Sequence, residues 1–310
     1  MHFHARLHAI PTAAALAGVA ALTGCGGSGH DASQRPSAAA QTRLVVVPQL
    51  IGRRQADAHR IAIRAGLDIR WTGFAGKLAN GRYNVGCVKV LRQSPVAGER
   101  RPAGSRIAVI EEPLAAAIGA GLPIADPVGR MVVDIGGGTS EVAVLSLGAI
   151  VTSRSARVGG YDLDEAVTAY LREHHRMAVG SQAAEEIKLA IGSAMPLPEE
   201  LETAIRGRDL LTGLPREFTL TATELRSALQ PALTEILTNI HATLEDTPPE
   251  LAGDITRYGI LLAGGGSLLH GLLDRVHAET GMPVTMADDP LGCVALGAGH
   301  ALEELDSLRL

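Results

Sequence analysis

Two short apolar runs flank a glycine triplet near the middle of the chain. The runs "MVVDI" and "EVAVLSL" are rich in β-branched residues, and Gly136, Gly137 and Gly138 lie between them. Such runs predict two strands, and the glycines predict the turn that joins them. A glycine turn lets several backbone N–H groups converge on one anion with no Cβ in the way. The pattern fits a phosphate-binding turn or an ordinary glycine-rich hairpin, and alone it does not decide between them.

A second glycine triplet, Gly264 to Gly266, follows the apolar run "YGILLA" far downstream. It predicts a turn that ends a strand and opens a helix, whose positive end can face a phosphate or a sugar. Two such turns, each after a strand, favour the phosphate interpretation over a chance hairpin. Near the first turn, Asp134 ends its strand where it can hold a metal-bound water, and Thr139 adds a hydroxyl.

Helical patterns surround the two turns. Residues 111–124, 162–177 and 181–194 each predict a helix, the first because two glutamates and a proline suit a helix start. Within the third helix, Glu185 and Lys188 are spaced three residues apart and lie on one face. That spacing fits either the wall of a binding pocket or an ordinary exposed charge pair.

The segment from residue 44 to residue 110 predicts a small α+β module of a strand, a helix, a strand, and two further strands about a Pro/Gly turn. Its helix carries apolar residues at the i, i+3, i+4, i+7 spacing of one buried face: Ala58, Ile61, Ala62 and Ala65. Gly66 follows at the position where a helix commonly ends in a left-handed residue.

The first residues have the pattern of an export signal. Residues 1–25 combine a basic residue, an apolar run too short to span a bilayer comfortably, and "LTGC" ending at Cys25. Residues 26–43 are rich in Gly, Ser and Ala, which is typical of a flexible tether. "LTGC" resembles the bacterial lipoprotein signal, which implies lipidation of Cys25; an ordinary signal peptide is the alternative.

Charge divides the chain of 310 residues into two parts. Residues 1–110 hold 15 Lys/Arg against 4 Asp/Glu, whereas residues 111–310 hold 13 against 29. This asymmetry predicts two segments with different partners, the basic one suited to an anionic surface. The three cysteines are too far apart for a zinc ribbon or a redox CxxC pair.

Two families resemble the two segments. Residues 44–110, with "VPQLIG", "AGL" and "VLRQSPVAGERRPAGSRIAVI", resemble a PASTA domain, which implies contact with peptidoglycan. Residues 111–310 resemble the C-terminal half of MreB, the bacterial actin, through "EEPLAAAIGAG", "MVVDIGGGTSEVAV", "RGRDLLTGLP", "LLAGGGSLL" and "ADDPLGCVALGAG". The implied fold class is α/β: an actin-like (ribonuclease-H-like) half domain preceded by a small α+β PASTA-like module.

The resemblance to MreB implies an ATP and Mg²⁺ site. It assigns Glu112 to the position of the residue that orients the attacking water, with Thr139 as a second candidate catalytic residue. It assigns Asp134 the role of orienting the metal ion through a water molecule. It implies nucleotide contacts from the first turn, the adenosine pocket and the second turn: Gly136, Gly137, Gly138, Thr139, Glu185, Lys188, Gly264, Gly265, Gly266 and Ser267.

The resemblance also implies a cytoskeletal function. MreB-type proteins self-assemble into filaments, have cell-wall elongation proteins as partners, associate with the cytoplasmic membrane, guide wall synthesis and determine rod shape. No nucleic acid is expected as a partner. In actin-like folds a first hairpin grips the phosphates opposite the second, and no such hairpin precedes residue 111. We therefore expect a truncated and impaired ATPase, and whether it hydrolyses ATP is left open.

The two resemblances imply different compartments. A lipoprotein signal and a PASTA-like module imply an exported, membrane-anchored protein, whereas the MreB-like half implies the cytoplasm. The sequence therefore predicts a fusion of two unrelated segments. The alternative function is that of an exported lipoprotein that binds peptidoglycan.

Overall fold

The computed structural model describes residues 43–72 and 90–303, so the predicted signal, Cys25, the tether up to residue 42 and Cys87 lie outside the described residues. The described chain starts with a small α+β unit. Its elements are β1 (Leu44–Val46), α1 (Gln55–Arg64), β2 (Asp68–Thr72), β3 (Val90–Ser94), β4 (Arg100–Pro102) and β5 (Arg106–Glu111).

The front unit has the α+β character that its pattern predicts. β5 lies between β2, which is parallel to it, and β3, which is antiparallel. β4, a short strand that the pattern did not predict, pairs with β1. The predicted face of α1 is confirmed, since Ala58 and Ala62 are fully buried and Ile61 and Ala65 pack against the same core. Gly66 has φ +77°, as a left-handed helix end requires.

The rest of the chain is a larger α/β unit. Its elements are α2 (Glu112–Gly119), β6 (Arg130–Ile135), β7 (Ser140–Ser146), β8 (Ala149–Ala156), α3 (Gly160–His175), β9 (Met177–Ala178), α4 (Ser181–Ile191), β10 (Glu202–Asp209), β11 (Pro215–Thr221), α5 (Ala222–Glu245), α6 (Pro249–Tyr258), β12 (Ile260–Ala263), α7 (Leu272–Thr280), β13 (Val284–Met286) and α8 (Cys293–Glu303). The predicted helices are confirmed with shifted ends: α2 ends at Gly119, and α3 begins at Gly160.

A five-stranded sheet, in the order β13-β12-β6-β7-β8, forms the centre of this unit. Its strands are apolar on both faces, as a sheet covered on both sides requires. Met131 and Val133 face the core that α3, α4 and α5 build, whereas Val132 faces the core that α2 and α8 build. Asp134 follows Val132 by two residues in the same strand, so it lies on the same face of the sheet, the one that α2 covers.

A second, smaller sheet packs against the core that α3, α4 and α5 build. β10 and β11 form an antiparallel hairpin, and β9 pairs with the far end of β10. Thr221, at the end of β11, begins α5 with a capping box: its hydroxyl accepts the N–H of Glu224, whose carboxylate accepts the N–H of Thr221. The hairpin is therefore anchored at its base, and its tip lies at the opposite end.

β5 leads directly into α2 and connects the two units. Ile110, in β5, is buried in the core of α2 and α8, so the last residues of β5 pack with the larger unit. Glu111 is 1% exposed, and burial raises its pKa to about 8, with its own backbone hydrogen bond acting in the opposite direction. Its carboxyl is therefore largely protonated at neutral pH.

Among the described helices, none combines the length and apolarity needed to cross a bilayer.

Candidate phosphate-binding site

The two glycine turns lie side by side at one edge of the five-stranded sheet. β6 and β12 run parallel, with Ala263 opposite Asp134, so both strands end at the same edge. The backbones are in close contact there, because a Cβ added to Gly264 would lie 2.6 Å from the carbonyl carbon of Ile135. In open α/β sheets this carboxyl edge is where ligands commonly bind.

Backbone N–H groups of both turns are available for a ligand. Among the described residues, no acceptor takes the N–H groups of Gly137 and Gly138 in the first turn, or of Gly265 and Gly266 in the second. Unpaired N–H groups of successive glycines form an anion-binding concavity. The pair of turns therefore offers four donors, and these four groups carry the assignment of a phosphate site.

The first turn is held in place by the start of α3. The carbonyl of Gly136 accepts the N–H of Gly160 at 2.9 Å, and the carbonyl of Gly137 accepts the N–H of Tyr161 at 2.7 Å. Gly159 must be small here, because an added Cβ would lie 2.8 Å from the carbonyl oxygen of Gly137. With two of its carbonyls bound to α3, the turn leaves the N–H groups of Gly137 and Gly138 without an acceptor among the described residues.

A cavity of about 350 Å³ lies against both turns. Six of the predicted residues line it: Gly136, Gly137, Glu185, Lys188, Gly265 and Gly266. The other lining residues, which the sequence analysis missed, are Gly160, Tyr161, Leu163, Asp164, Leu189, Leu268, Leu269, His270 and Leu291. The "GGYDLD" run after a strand was the available signal for Tyr161 and Asp164, because it places a helix start beside the turn.

Lys188 lines the cavity and also forms an ion pair with a residue of α3. Its ammonium lies 2.8 Å from a carboxylate oxygen of Asp164, and both side chains are 11% exposed. The same ammonium donates to the carbonyl of Gly160 at 3.2 Å. The pair therefore ties α4 to the start of α3 and positions the wall of the cavity. The alternative of an exposed Glu185–Lys188 pair is wrong, since Lys188 bonds across to α3.

The hydroxyl of Ser267, predicted to contact the nucleotide, instead forms a hydrogen bond within the second turn. Ser267 is 2% exposed and donates to the carbonyl of Gly264 at 2.7 Å. The helix predicted to open here is only a four-residue 3₁₀ segment, Gly265–Leu268, and α7 starts at Leu272. The reason is that consecutive glycines are poor helix formers, and Gly264 has φ +78°. The donors are therefore single glycine N–H groups, without a long helix behind them.

Asp134 and Glu112 are the acidic groups predicted for a metal and a water. Burial, followed by the nearby charge of Glu112, raises the pKa of Asp134 to about 7. No group of three or more His, Cys, Asp or Glu side chains suited to a metal occurs in the described part of the chain. One or two carboxylates nevertheless fit Mg²⁺, which keeps most of its waters and takes further ligands from phosphates. Neither residue lines the cavity, and Gly138, Thr139 and Gly264 also lie outside its lining.

Cys293 lies near Asp134 and does not line the cavity. Its thiol is buried and free, and burial, with the charge of Asp134 as a smaller cause, raises its pKa. A raised pKa keeps the group protonated and unreactive.

Comparison with known proteins matches most of the chain. A model of the family described as "MreB/Mbl protein" matches residues 87–310, so the match begins ahead of residue 111 and overlaps the end of the PASTA-like segment. The cell shape-determining protein MreB of Escherichia coli K12 is 50% identical over 223 residues, 72% of this chain and 64% of that protein. The cell shape-determining protein Mbl of Bacillus subtilis is 42% identical over 205 residues, 66% of this chain and 62% of that protein.

Two solved structures are similar to this chain in fold. MreB5 of Spiroplasma citri bound to ADP superposes with a TM-score of 0.63 at 38% identity, covering 66% of this chain and 63% of that one. The MamK double helical filament, at 22% identity and a TM-score of 0.54, shows the fold alone, an actin-like one. The chain thus spans just under two thirds of the length of these relatives. Because the family model accounts for well over half of its residues, the chain belongs to the MreB/Mbl family of cell shape-determining proteins.

Proposed function

We propose that this chain is an MreB-type protein that binds an adenine nucleotide with Mg²⁺ in the cavity between the two glycine turns. The observation that carries the proposal is the set of four unpaired glycine N–H groups at one sheet edge. It is supported by MreB5 of Spiroplasma citri, whose structures are described as bound to ADP and to AMPPNP.

The cavity lining and the predicted residues outside it have separate tasks in this proposal. Glycine N–H groups of both turns hold the phosphates, and the wall near Glu185 and Leu189 accepts the sugar and base. Asp134 would hold Mg²⁺ through its waters, and the ion would supply charge neutralisation for the phosphates. Glu112 orients an attacking water, and Thr139 stands as a second candidate at the same turn. The raised pKa of Asp134 means that its carboxylate becomes fully available only above about pH 7.

The cavity provides one side of a phosphate clamp. All its lining residues lie at or after Gly136 in the chain. Phosphoryl transfer depends on holding charge from both sides, because positioning and electrostatics provide nearly all of the catalysis. We therefore infer weak nucleotide affinity for the 310-residue chain alone, and hydrolysis near background unless another polypeptide segment supplies the opposing turn.

Membership of the MreB/Mbl family also supports a proposal about the role of this chain in the cell. We infer assembly into filaments, cooperation with wall-elongation proteins, membrane association, and a part in rod-shape determination through guidance of wall synthesis. The comparisons give no support to the exported peptidoglycan-binding lipoprotein, and the family model matches the chain from residue 87 onward. The PASTA-like module, lipidation of Cys25 and the compartment stay predictions.

Calorimetric titration with ATP and with adenosine, each with Mg²⁺, tests the proposal. We expect ATP to bind, with a dissociation constant weaker than micromolar, and adenosine to bind more weakly still. Micromolar or tighter affinity for ATP would contradict the one-sided clamp. Equal affinity for ATP and adenosine would contradict the phosphate site.

A matched pair of variants gives the control. Gly137→Asp places a carboxylate in the first turn, where the exposed Tyr161 ring can move aside, and should weaken ATP binding about tenfold or more by repulsion of the phosphates. Gly253→Asp adds the same charge on the exposed face of α6, with no atom within 4 Å of the new Cβ, and should leave affinity unchanged.

A further inference from the structure

A second cavity, of about 480 Å³, adjoins the phosphate-site cavity along α3. Tyr161 and Asp164 line both cavities, so these two side chains form the partition between them. Cavities of about 300–1,000 Å³ are the usual size of small-molecule sites. We call the second cavity the side cavity. Its other lining residues come from one face of α3 and from the segment that enters α4: Glu165, Thr168, Ala169, Arg172, Val179 and Ser181.

The ring of Tyr161 is 67% exposed although its backbone is fixed. Its N–H donates to the carbonyl of Gly137 at 2.7 Å. A Cβ added to Gly137 would lie 2.8 Å from two carbons of the ring, so the ring lies against the first glycine turn. Among the described aromatic side chains, none stacks on it. An exposed ring beside a phosphate-binding turn is a stacking surface for a base that is attached to the phosphates.

The side cavity also holds charged groups suited to a nucleoside and its phosphate. Glu165 and Arg172 line it about two helical turns apart on α3, and within the described residues neither forms an ion pair. A carboxylate is a common acceptor for ribose hydroxyls, and a guanidinium pairs with phosphate oxygens. Asp164 is instead bound to Lys188 at 2.8 Å, which holds the partition in place.

We propose that the ligand of this site is a dinucleoside polyphosphate. Its phosphates lie on the glycine turns, its first nucleoside lies in the phosphate-site cavity, and its second lies in the side cavity against Tyr161. The inference rests on the proposed nucleotide binding and names the ligand class of the same site. A mononucleotide leaves the side cavity unfilled. A second nucleoside linked through the phosphates reaches it at high effective concentration and covers the exposed ring.

Calorimetric titration of the full chain with diadenosine tetraphosphate and with adenosine tetraphosphate, each with Mg²⁺, tests the proposal. The two ligands have the same number of phosphates and differ by the second nucleoside. We expect diadenosine tetraphosphate to bind about tenfold more tightly, through stacking of its second base, with one ligand per chain.

The outcomes separate this proposal from the phosphate site itself. Equal affinity for the two ligands would overturn the dinucleoside proposal and leave the phosphate site standing. Absence of binding by either ligand would overturn both. One diadenosine tetraphosphate per two chains would show that the ligand bridges two copies, which also overturns the proposal.

Variants of the side cavity locate the second nucleoside. Ala169→Trp fills the side cavity from an exposed position that does not line the phosphate-site cavity, so it should abolish the preference without weakening adenosine tetraphosphate. Ala278→Trp makes the same change at an exposed position of α7 outside both cavities, and should keep the preference. Tyr161→Ala should abolish the preference, and Tyr161→Phe, which retains the ring, should keep it. A preference that survives Ala169→Trp would place the second nucleoside elsewhere and overturn the proposal.

Discussion

Gly264→Ala is expected to lower the free energy of unfolding by about 4 kcal/mol and to abolish nucleotide binding at the same time. Gly264 has φ +78° and ψ 159°, a backbone conformation that is essentially restricted to glycine. An added Cβ would also lie 2.6 Å from the carbonyl carbon of Ile135, and against the carboxylate of Asp134. Neither neighbour can yield, since one is strand backbone and the other is a buried side chain.

Chemical denaturation of Gly264→Ala beside Gly253→Ala measures this effect. Gly253 lies within α6, and an added Cβ meets nothing within 4 Å, so its replacement should stabilise the protein by up to about 1 kcal/mol. A total stability of about 5–15 kcal/mol leaves room to measure both changes. If the two variants unfold at the same denaturant concentration, the close contact between β6 and β12 described above is wrong.

Gly297→Ala is the second substitution with a large expected effect, a loss of about 3 kcal/mol. α2 and α8 cross in direct backbone contact, and a Cβ at position 297 would lie 2.6 Å from the amide nitrogen of Gly119 and inside the carbonyl of Ala115. The helices can accept the methyl group only by moving apart. Separation would open the core that covers one face of the sheet, beneath Asp134.

Gly299→Ala provides the control for this crossing. It lies on the same helix, makes the same change and meets no atom within 4 Å, so we expect a small gain of stability. Thermal unfolding of the two variants should therefore move in opposite directions from the wild type. Equal loss of stability in both would show that helix α8 itself, not its contact with α2, is sensitive to substitution.

Strand-forming and helix-forming patterns predicted most of the framework. The runs around Gly136 and before Gly264 became β6, β7 and β12 because apolar β-branched stretches need cover on both faces. The face of α1 could be predicted for a similar reason, since its spacing alone fixes which side is buried. Local patterns of this kind require no knowledge of what the element packs against.

The parts that local patterns did not predict depend on contacts between distant segments. Asp164 binds Lys188 across two helices, and Tyr161 reaches the cavity because α3 docks on the carbonyls of the first glycine turn. Ile110 packs with α2 and α8 although it ends a strand of the front unit. Ser267 was expected at the ligand, but the turn uses its hydroxyl. Each of these roles is decided by which neighbour is within reach after folding.

The central claim is that the free N–H groups of both glycine turns hold phosphate. Glycine-selective isotope labelling, with amide resonances followed by NMR during addition of ATP and Mg²⁺, tests it most directly. We expect the resonances of Gly137, Gly138, Gly265 and Gly266 to shift together with ATP and to change little with adenosine. Unchanged resonances for all four at saturating ATP would contradict it.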